Sequence, residues 1–267
     1  MKQQDCDQFL FKIKEDEIMA LEQVISTRNN KTVYQSGDTV VKIFDENFPK
    51  SDVLNEALNQ SRIEETGLNI PKVLEVSKID NKWAITMEFI KGNTLADTMK
   101  ENPDKIDEYL EQFVNLQLDI HSKKAPLLNK QKDKFSRKIQ ALDLIDASTK
   151  YELLSRLDGM PKHTKVCHGD FNPSNIILSD DKAYVIDWSH ATQGNASADA
   201  ARSYLLFSLQ DETVAKKYLS LFCKKSNTAI QYVQQWLPIV AATQLGKGNP
   251  DEKEFLEKWL NVIEYQG

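Results

Sequence analysis

The chain has little cysteine: Cys6, Cys167 and Cys223 are the only three in 267 residues. They are odd in number, scattered and without metal-like spacing, which excludes a disulfide framework and a cysteine-based metal site. They read as reduced thiols of a cytoplasmic protein. No apolar run reaches the length of a membrane span, so a spanning protein is excluded as well. The opening residues, MKQQDCDQFLFKIKEDE, are polar and acidic and lack the apolar core of a signal peptide, which again points to the cytoplasm. There is no surplus of positive charge. The formal net charge is −6, which argues against a general binder of nucleic acid or of membrane surfaces. Internal repeats and low-complexity segments are missing too. The apolar share, 40%, is enough for a packed core, and the length allows one domain or two small lobes around a cleft.

Against these absences, one stretch is dense with chemistry. Residues 165–190 read KVCHGDFNPSNIILSDDKAYVIDWSH. Short apolar runs at 165–167, 176–178 and 183–186 are separated by a polar loop and by the turn Ser179-Asp180-Asp181-Lys182. The pattern predicts strand, loop, strand, turn, strand. Asp170 and Asn175 lie on the loop, and Asp187 ends the last strand, where it can face the same point. Phosphoryl transfer from a nucleotide needs such a set, because its transition state carries charge on oxygens and asks for positioning, Mg²⁺ and an oriented hydroxyl. Asn175 and Asp187 are oxygen ligands of the kind Mg²⁺ takes. Asp170 can accept the proton of a substrate hydroxyl. The plain alternative is a polar turn built from good turn formers. It suffices for Asp170 alone, but not for all three beside His168-Gly169 and Ile186-Asp187-Trp188. Cys167, on the strand entering the loop, reads as core.

HGDFNPSNII followed by VIDW resembles the catalytic loop and metal motif of the aminoglycoside phosphotransferase and choline-kinase-like family, small-molecule kinases with a protein-kinase-like fold. The family often has His where this chain has Asn172 and Gly where it has Ser174. The resemblance runs from about residue 26 to about residue 206. It implies ATP and Mg²⁺, with Asp170 as catalytic base, Asn175 and Asp187 as metal ligands, and His168 as a structural part of the loop. It also makes Asp199, at a helix start, a brace for that loop; an ordinary helix N-terminal acid would look the same.

Upstream, strands are predicted over 18–25, 32–35 and 39–44, with turns at 26–31 and at Ser36-Gly37-Asp38. The first turn sits where kinases cover the ATP phosphates. It has no G-x-G-x-x-G, so contacts would come from Ser26, Thr27, Asn30 and backbone N–H groups. Lys42 lies in the run Val40-Val41-Lys42-Ile43-Phe44, either as a solvent-facing edge lysine or as a phosphate ligand. A helix after Pro49, with Ser51 able to cap it and Val53, Leu54, Ala57, Leu58 and Ile63 as its apolar face, carries Glu56. Lys42 and Glu56 resemble the kinase lysine–glutamate pair. A second hairpin follows at 72–77 and 83–90, turned at Asp80-Asn81. MEFIKGNTL resembles the family's hinge, which implies adenine bonding by the backbone of Glu88 and Ile90, with Met87 behind it.

After the hinge the chain reads as helical. Thr94 can cap a short helix, and Pro103 starts a longer one ending near His121, a packing or capping residue. The basic patch at 130–138 reads as a solvated helix face. One or two helices cover 139–157 and are broken by Gly159 and Pro161. A small-residue loop at 194–198 and a helix from 197 follow, then helices over 214–222, 230–245 and 254–263, with Pro238 bending the middle one. The acidic C-terminal end would suit a cationic acceptor, but a solvated acidic face is the better explanation. The expected fold is α+β and two-lobed: a nucleotide-binding lobe over 1–90, a five-stranded antiparallel sheet with one helix, and a mostly helical catalytic and acceptor-binding lobe over 91–267. The expected function is transfer of the γ-phosphate of ATP to a hydroxyl of a small molecule, with aminoglycoside-, choline- and sugar-like acceptors all open. The loop is His-Gly-Asp rather than His-Arg-Asp and no Ala-Pro-Glu follows, which sets the chain apart from protein kinases. The alternative is a catalytically silent nucleotide-binding or interaction module. Oligomeric state is left open by the sequence.

Overall fold

Short β-rich runs punctuated by turn residues make the first part of the chain a meander. The computed structural model describes residues 23–28 and 30–260; Cys6, the start of the strand expected at 18 and the end of the helix expected at 263 lie outside them. Five strands, β1 (Gln23–Arg28), β2 (Lys31–Ser36), β3 (Thr39–Phe44), β4 (Val73–Ile79) and β5 (Lys82–Glu88), form one sheet in the order β1-β2-β3-β5-β4. Each neighbouring pair is antiparallel. Asp80 and Asn81 both take positive φ, 46° and 64°. Two such residues make the tight turn whose twist matches its strands. One expectation fails here. β1 continues to Arg28, so Ser26 and Thr27 are in the strand, paired with Val33 and Thr32, and only Asn30 stands in the turn. The ladder extends because pairing with β2 gives partners to the backbone groups on the inner side of this edge strand.

Helix α1 (Lys50–Glu64) buries Val53, Ala57 and Ile63. Val53 and Ala57 pack with Phe44 and Ile85 of the sheet. Leu54 and Leu58 are exposed, because they lie a quarter turn off the stripe that meets the strands. Pro49 holds the N-cap position with no side-chain cap, and Ser51 is inside the helix rather than capping it. These elements belong to a compact unit that comprises residues up to Gly92 and, from much later in the chain, Ser179–Ser189. The later segment carries the strand Lys182–Val185. The Val185 N–H donates to the Asn69 carbonyl at 3.0 Å.

The second unit comprises Asn93–Leu178 and His190–Gly267. Its helices are α2 (Leu95–Glu101), α3 (Ile106–Ser122), α4 (Gln131–Gln140), α5 (Ala147–Gly159), α6 (Ala196–Ser208), α7 (Glu212–Ser226), α8 (Ile230–Gln234), α9 (Leu237–Leu245) and α10 (Pro250–Glu257). Thr94 caps α2 by accepting from the Asp97 N–H. Pro103 opens a short 3-10 turn before α3. Aromatic rings fill the core: Phe113 lies 4.4 Å from Phe171 and 5.2 Å from Phe207, centroid to centroid. The single helix expected over 230–245 is two helices, and Pro238 stands in the first turn of α9 instead of bending it. A proline is tolerated there because the first turn has no internal partner for its missing N–H. The strands Lys165–Cys167 and Thr192–Gly194 pair antiparallel, closing the base of the loop that carries His168, Gly169 and Asp170.

Candidate active site

In the first unit, β3 brings Lys42 inward: it is 6% exposed. Its ammonium bonds the Glu56 carboxylate of α1 and lies 3.5 Å from Asp187 Oδ1. Burial alone would lower the pKa of this ammonium, but Asp187 and Glu56 outweigh that and hold it above its usual value. Lys31, at the start of β2, reaches to 3.9 Å of Glu56. Its pKa is lowered, first by burial and then by repulsion from Lys42. Sequence reasoning placed Lys31 in a polar turn and missed it. Glu64 is committed elsewhere, accepting from the Val73 N–H at 2.8 Å, so Glu56 is the partner. Asp187 takes φ 61°, a left-handed conformation that Asp tolerates better than most residues. Its Oδ1 accepts from Ser189 Oγ at 2.9 Å.

The expected nucleotide contacts lie on the same unit. Met87 pairs with Val40 and Val73 in the sheet and packs on its core. The Glu88 N–H is bonded to the Lys72 carbonyl at 3.0 Å, so that donor is committed within the sheet. Ile90 follows in the irregular stretch after β5. Ser26, Thr27 and Asn30 are exposed.

In the second unit the loop is held from below by one buried carboxylate. Asp199, in the first turn of α6, accepts the Gly169 N–H at 2.7 Å and the His168 N–H at 3.1 Å. Its Oδ2 is also 3.0 Å from His121 Nε2. Burial works against this carboxylate, yet His121 and the loop amides keep its pKa below the usual value. Gly169 is required: φ is +80°, and an added Cβ would stand 2.6 Å from the His190 carbonyl oxygen. His168 Nδ1 accepts the Asp170 N–H at 3.2 Å. Asn175 donates its amide to the Asp170 carbonyl at 2.9 Å, which leaves its own carbonyl oxygen as the atom a hard cation would take. Cys167 is buried with its thiol pKa pushed up by burial, as befits core.

The Asp170 carboxylate is not alone. Arg202 Nη2 of α6 donates to its Oδ1 at 2.9 Å, and Lys247, just after α9, lies at 3.4 Å. Burial would raise its pKa, but these two cations hold it well below the carboxylate range. Lys134 and Lys138 of α4 stand beside them around a small cavity. The reading of 130–138 as a solvated face therefore fails at these two positions. They are four residues apart and so share one helix face, the inward one. Arg202 did carry a signal, standing in the small and apolar run Ala200-Ala201-Arg202-Ser203-Tyr204-Leu205. Lys247 carried none.

Residues 18–233 match the phosphotransferase enzyme family. The chain belongs to that family. It is a phosphotransferase. The chain is similar in structure to aminoglycoside phosphotransferase APH(4)-Ia in ternary complex with ADP and hygromycin B, at 12% identity over 96% of this chain and 99% of that one, with a TM-score of 0.72. It is similar to APH(2")-IIa with streptomycin and ATP, at 18% identity over 97% and 95%, TM-score 0.62. A choline/ethanolamine kinase family protein from Mesorhizobium loti matches at 13% identity over 91% and 89%, TM-score 0.60. The comparison with curated proteins gives no match. The fold is thus the protein-kinase-like one, as the loop and metal motifs imply. Among the described residues no helix is long and apolar enough to cross a membrane.

Proposed function

We propose that this phosphotransferase moves the γ-phosphoryl group of ATP to a hydroxyl of a small molecule and that it does so with Mg²⁺. One observation carries the reading: a lysine buried to 6% exposure, Lys42, is held between two carboxylates, Glu56 and Asp187. A lysine is rarely buried unless paired, and this pair is aimed rather than packed. Lys42 would hold phosphate oxygens while Glu56 fixes its ammonium. The carbonyl of Glu88 and the backbone of Ile90 would meet the adenine edge, with Met87 behind it. Of the three residues expected at the phosphates, Asn30 stands in the turn between β1 and β2 and would offer a polar group there, whereas Ser26 and Thr27 are held in β1.

The donor set fits the metal. Asp187 offers a carboxylate and Asn175 an amide oxygen whose nitrogen is already committed, and both are hard oxygen ligands. Mg²⁺, when bound, neutralises charge on the phosphate oxygens. Asp170 orients the acceptor hydroxyl. The hydroxyl oxygen forms its bond to the γ-phosphorus, the bond from phosphorus to the bridging oxygen breaks, ADP leaves, and the proton passes to Asp170. Held by Arg202 and Lys247, this carboxylate is a weak base, so orientation is its first task and the proton moves late. Asp199, His121 and His168 keep the loop in register.

The test is ADP release with Mg·ATP and a broad panel of hydroxyl compounds. Asp170→Asn should keep nucleotide binding and lower transfer by roughly two orders of magnitude or more. A wild-type chain that binds Mg·ATP, transfers to no compound and does not hydrolyse ATP slowly would instead be a silent binding module.

A further inference from the structure

The cavity beside Asp170 has the wrong sign for a cationic acceptor. Lys134, Lys138, Arg202 and Lys247 line it. One carboxylate, Asp199, lines it too, but its oxygens are already taken by two loop amides and His121. Asp170 offsets at most one further charge. Arg202 is 6% exposed, one of its nitrogens is on Asp170, and its buried Nε has no hydrogen-bond partner among the described residues. Lys134 gives one donor to the His190 carbonyl at 3.0 Å and keeps others. The group is held together against its own repulsion. Burial, followed by Lys138 and Lys247, brings the Lys134 pKa down to about 7. Burial, followed by Lys247 and Arg202, brings that of Lys138 down to about 8. Unpaired cations are gathered in this way where an anion completes them.

Size narrows the occupant. The cavity holds about 30 Å³, the space of about two or three waters. A carboxylate or phosphate head is of the size that this innermost space takes. We infer that this cavity binds the anionic head, carboxylate or phosphate, of the acceptor, so that the substrate class is a hydroxyl compound bearing negative charge rather than an amino sugar or a quaternary amine. The word acceptor rests on the phosphotransferase reading above; the anion site does not. Such a head would also draw Arg202 and Lys247 away from Asp170 and leave that carboxylate freer to take the hydroxyl proton.

The experiment measures affinity for inorganic phosphate and for malonate by calorimetry, on the full chain with saturating Mg·ADP so that the nucleotide's own phosphate contacts are occupied. Wild type should bind at least one of the two, and which one binds more tightly tells a phosphate head from a carboxylate head. Lys138→Gln should weaken binding by about tenfold and Lys134→Gln/Lys138→Gln by about a hundredfold. Lys217→Gln, whose partner is Asp107 on another face, should leave it unchanged. Should the double variant fail to fold, the single variant and the loss of affinity with added salt carry the test. Binding of neither anion, or equal binding by wild type and Lys138→Gln, overturns the inference. So does efficient transfer from Mg·ATP to kanamycin, which would uphold the phosphotransferase reading. Failure to bind Mg·ATP would sink that reading and leave the anion result standing.

Discussion

The two charged clusters of this protein are built on opposite principles. Around Lys42, charges balance: two lysines, Lys31 and Lys42, face two carboxylates, Glu56 and Asp187. Around Asp170 they do not, for Arg202, Lys247, Lys134 and Lys138 outnumber it. A balanced cluster is stable alone. A cluster with surplus charge is complete only with a ligand, and on the inference above it is where the substrate would be chosen. The difference also appears in the direction of pKa shifts. The pKa of Lys42 is raised by its partners, although that of Lys31 beside it is lowered by burial and by Lys42; that of Lys134 is lowered by burial, Lys138 and Lys247, and that of Lys138 by burial, Lys247 and Arg202.

The contrast can be broken from the balanced side first. Glu56→Ala leaves Lys42 and Lys31 with Asp187 alone, in a site where burial already disfavours charge. Removing one partner of a buried pair should destabilise the chain by about 3 kcal/mol, read from urea unfolding. A loss below about 1 kcal/mol would mean that the cluster is solvated and loosely held.

A smaller effect sharpens the other side. Lys138→Gln removes a like charge facing Lys134. The groups that face Lys134 are then Lys247, Arg202, Asp170 and the ring of His190, and its pKa should rise from about 7. The side-chain carbon signals of Lys134, followed by NMR across pH, should titrate later in the variant. The sign of the stability effect follows. A lysine whose folded pKa is lowered binds fewer protons than the unfolded chain between that pKa and the ordinary value near 10.5, so stability rises with pH across that window. In Lys138→Gln the window should narrow from its lower end.

The catalytic loop and the five-stranded sheet were legible in the sequence because each rests on local signals. Turn residues bound the strands, and Asp170, Asn175 and Asp187 fall at loop and strand ends. The pairing of Lys42 with Glu56 rested on resemblance and on strand register, with Val41 and Ile43 alternating away from Lys42; Val41 and Lys42 are both buried, so burial alone does not tell the two faces of β3 apart. The cation cluster was illegible for a different reason. Lys134 and Lys138, Arg202 and Lys247 come from three parts of the chain that only tertiary packing brings to Asp170. Lysines four apart on a polar helix look the same whether that face meets water or a cavity. The missed helix break before α9 is of the first kind, since a proline reads as a kink or as a start according to where the helix begins.

The central claim is that the Lys42 cluster, with Asp187 in it, holds a metal-bound nucleotide. The most direct measurement is the melting temperature of wild type and Asp187→Ala with ATP, with and without Mg²⁺. A ligand bound only by the folded state stabilises it by mass action. The account predicts that Mg²⁺ adds to the ATP-induced rise in wild type and adds almost nothing in Asp187→Ala, while Lys138→Gln responds like wild type. An equal Mg²⁺-dependent rise in Asp187→Ala would contradict it.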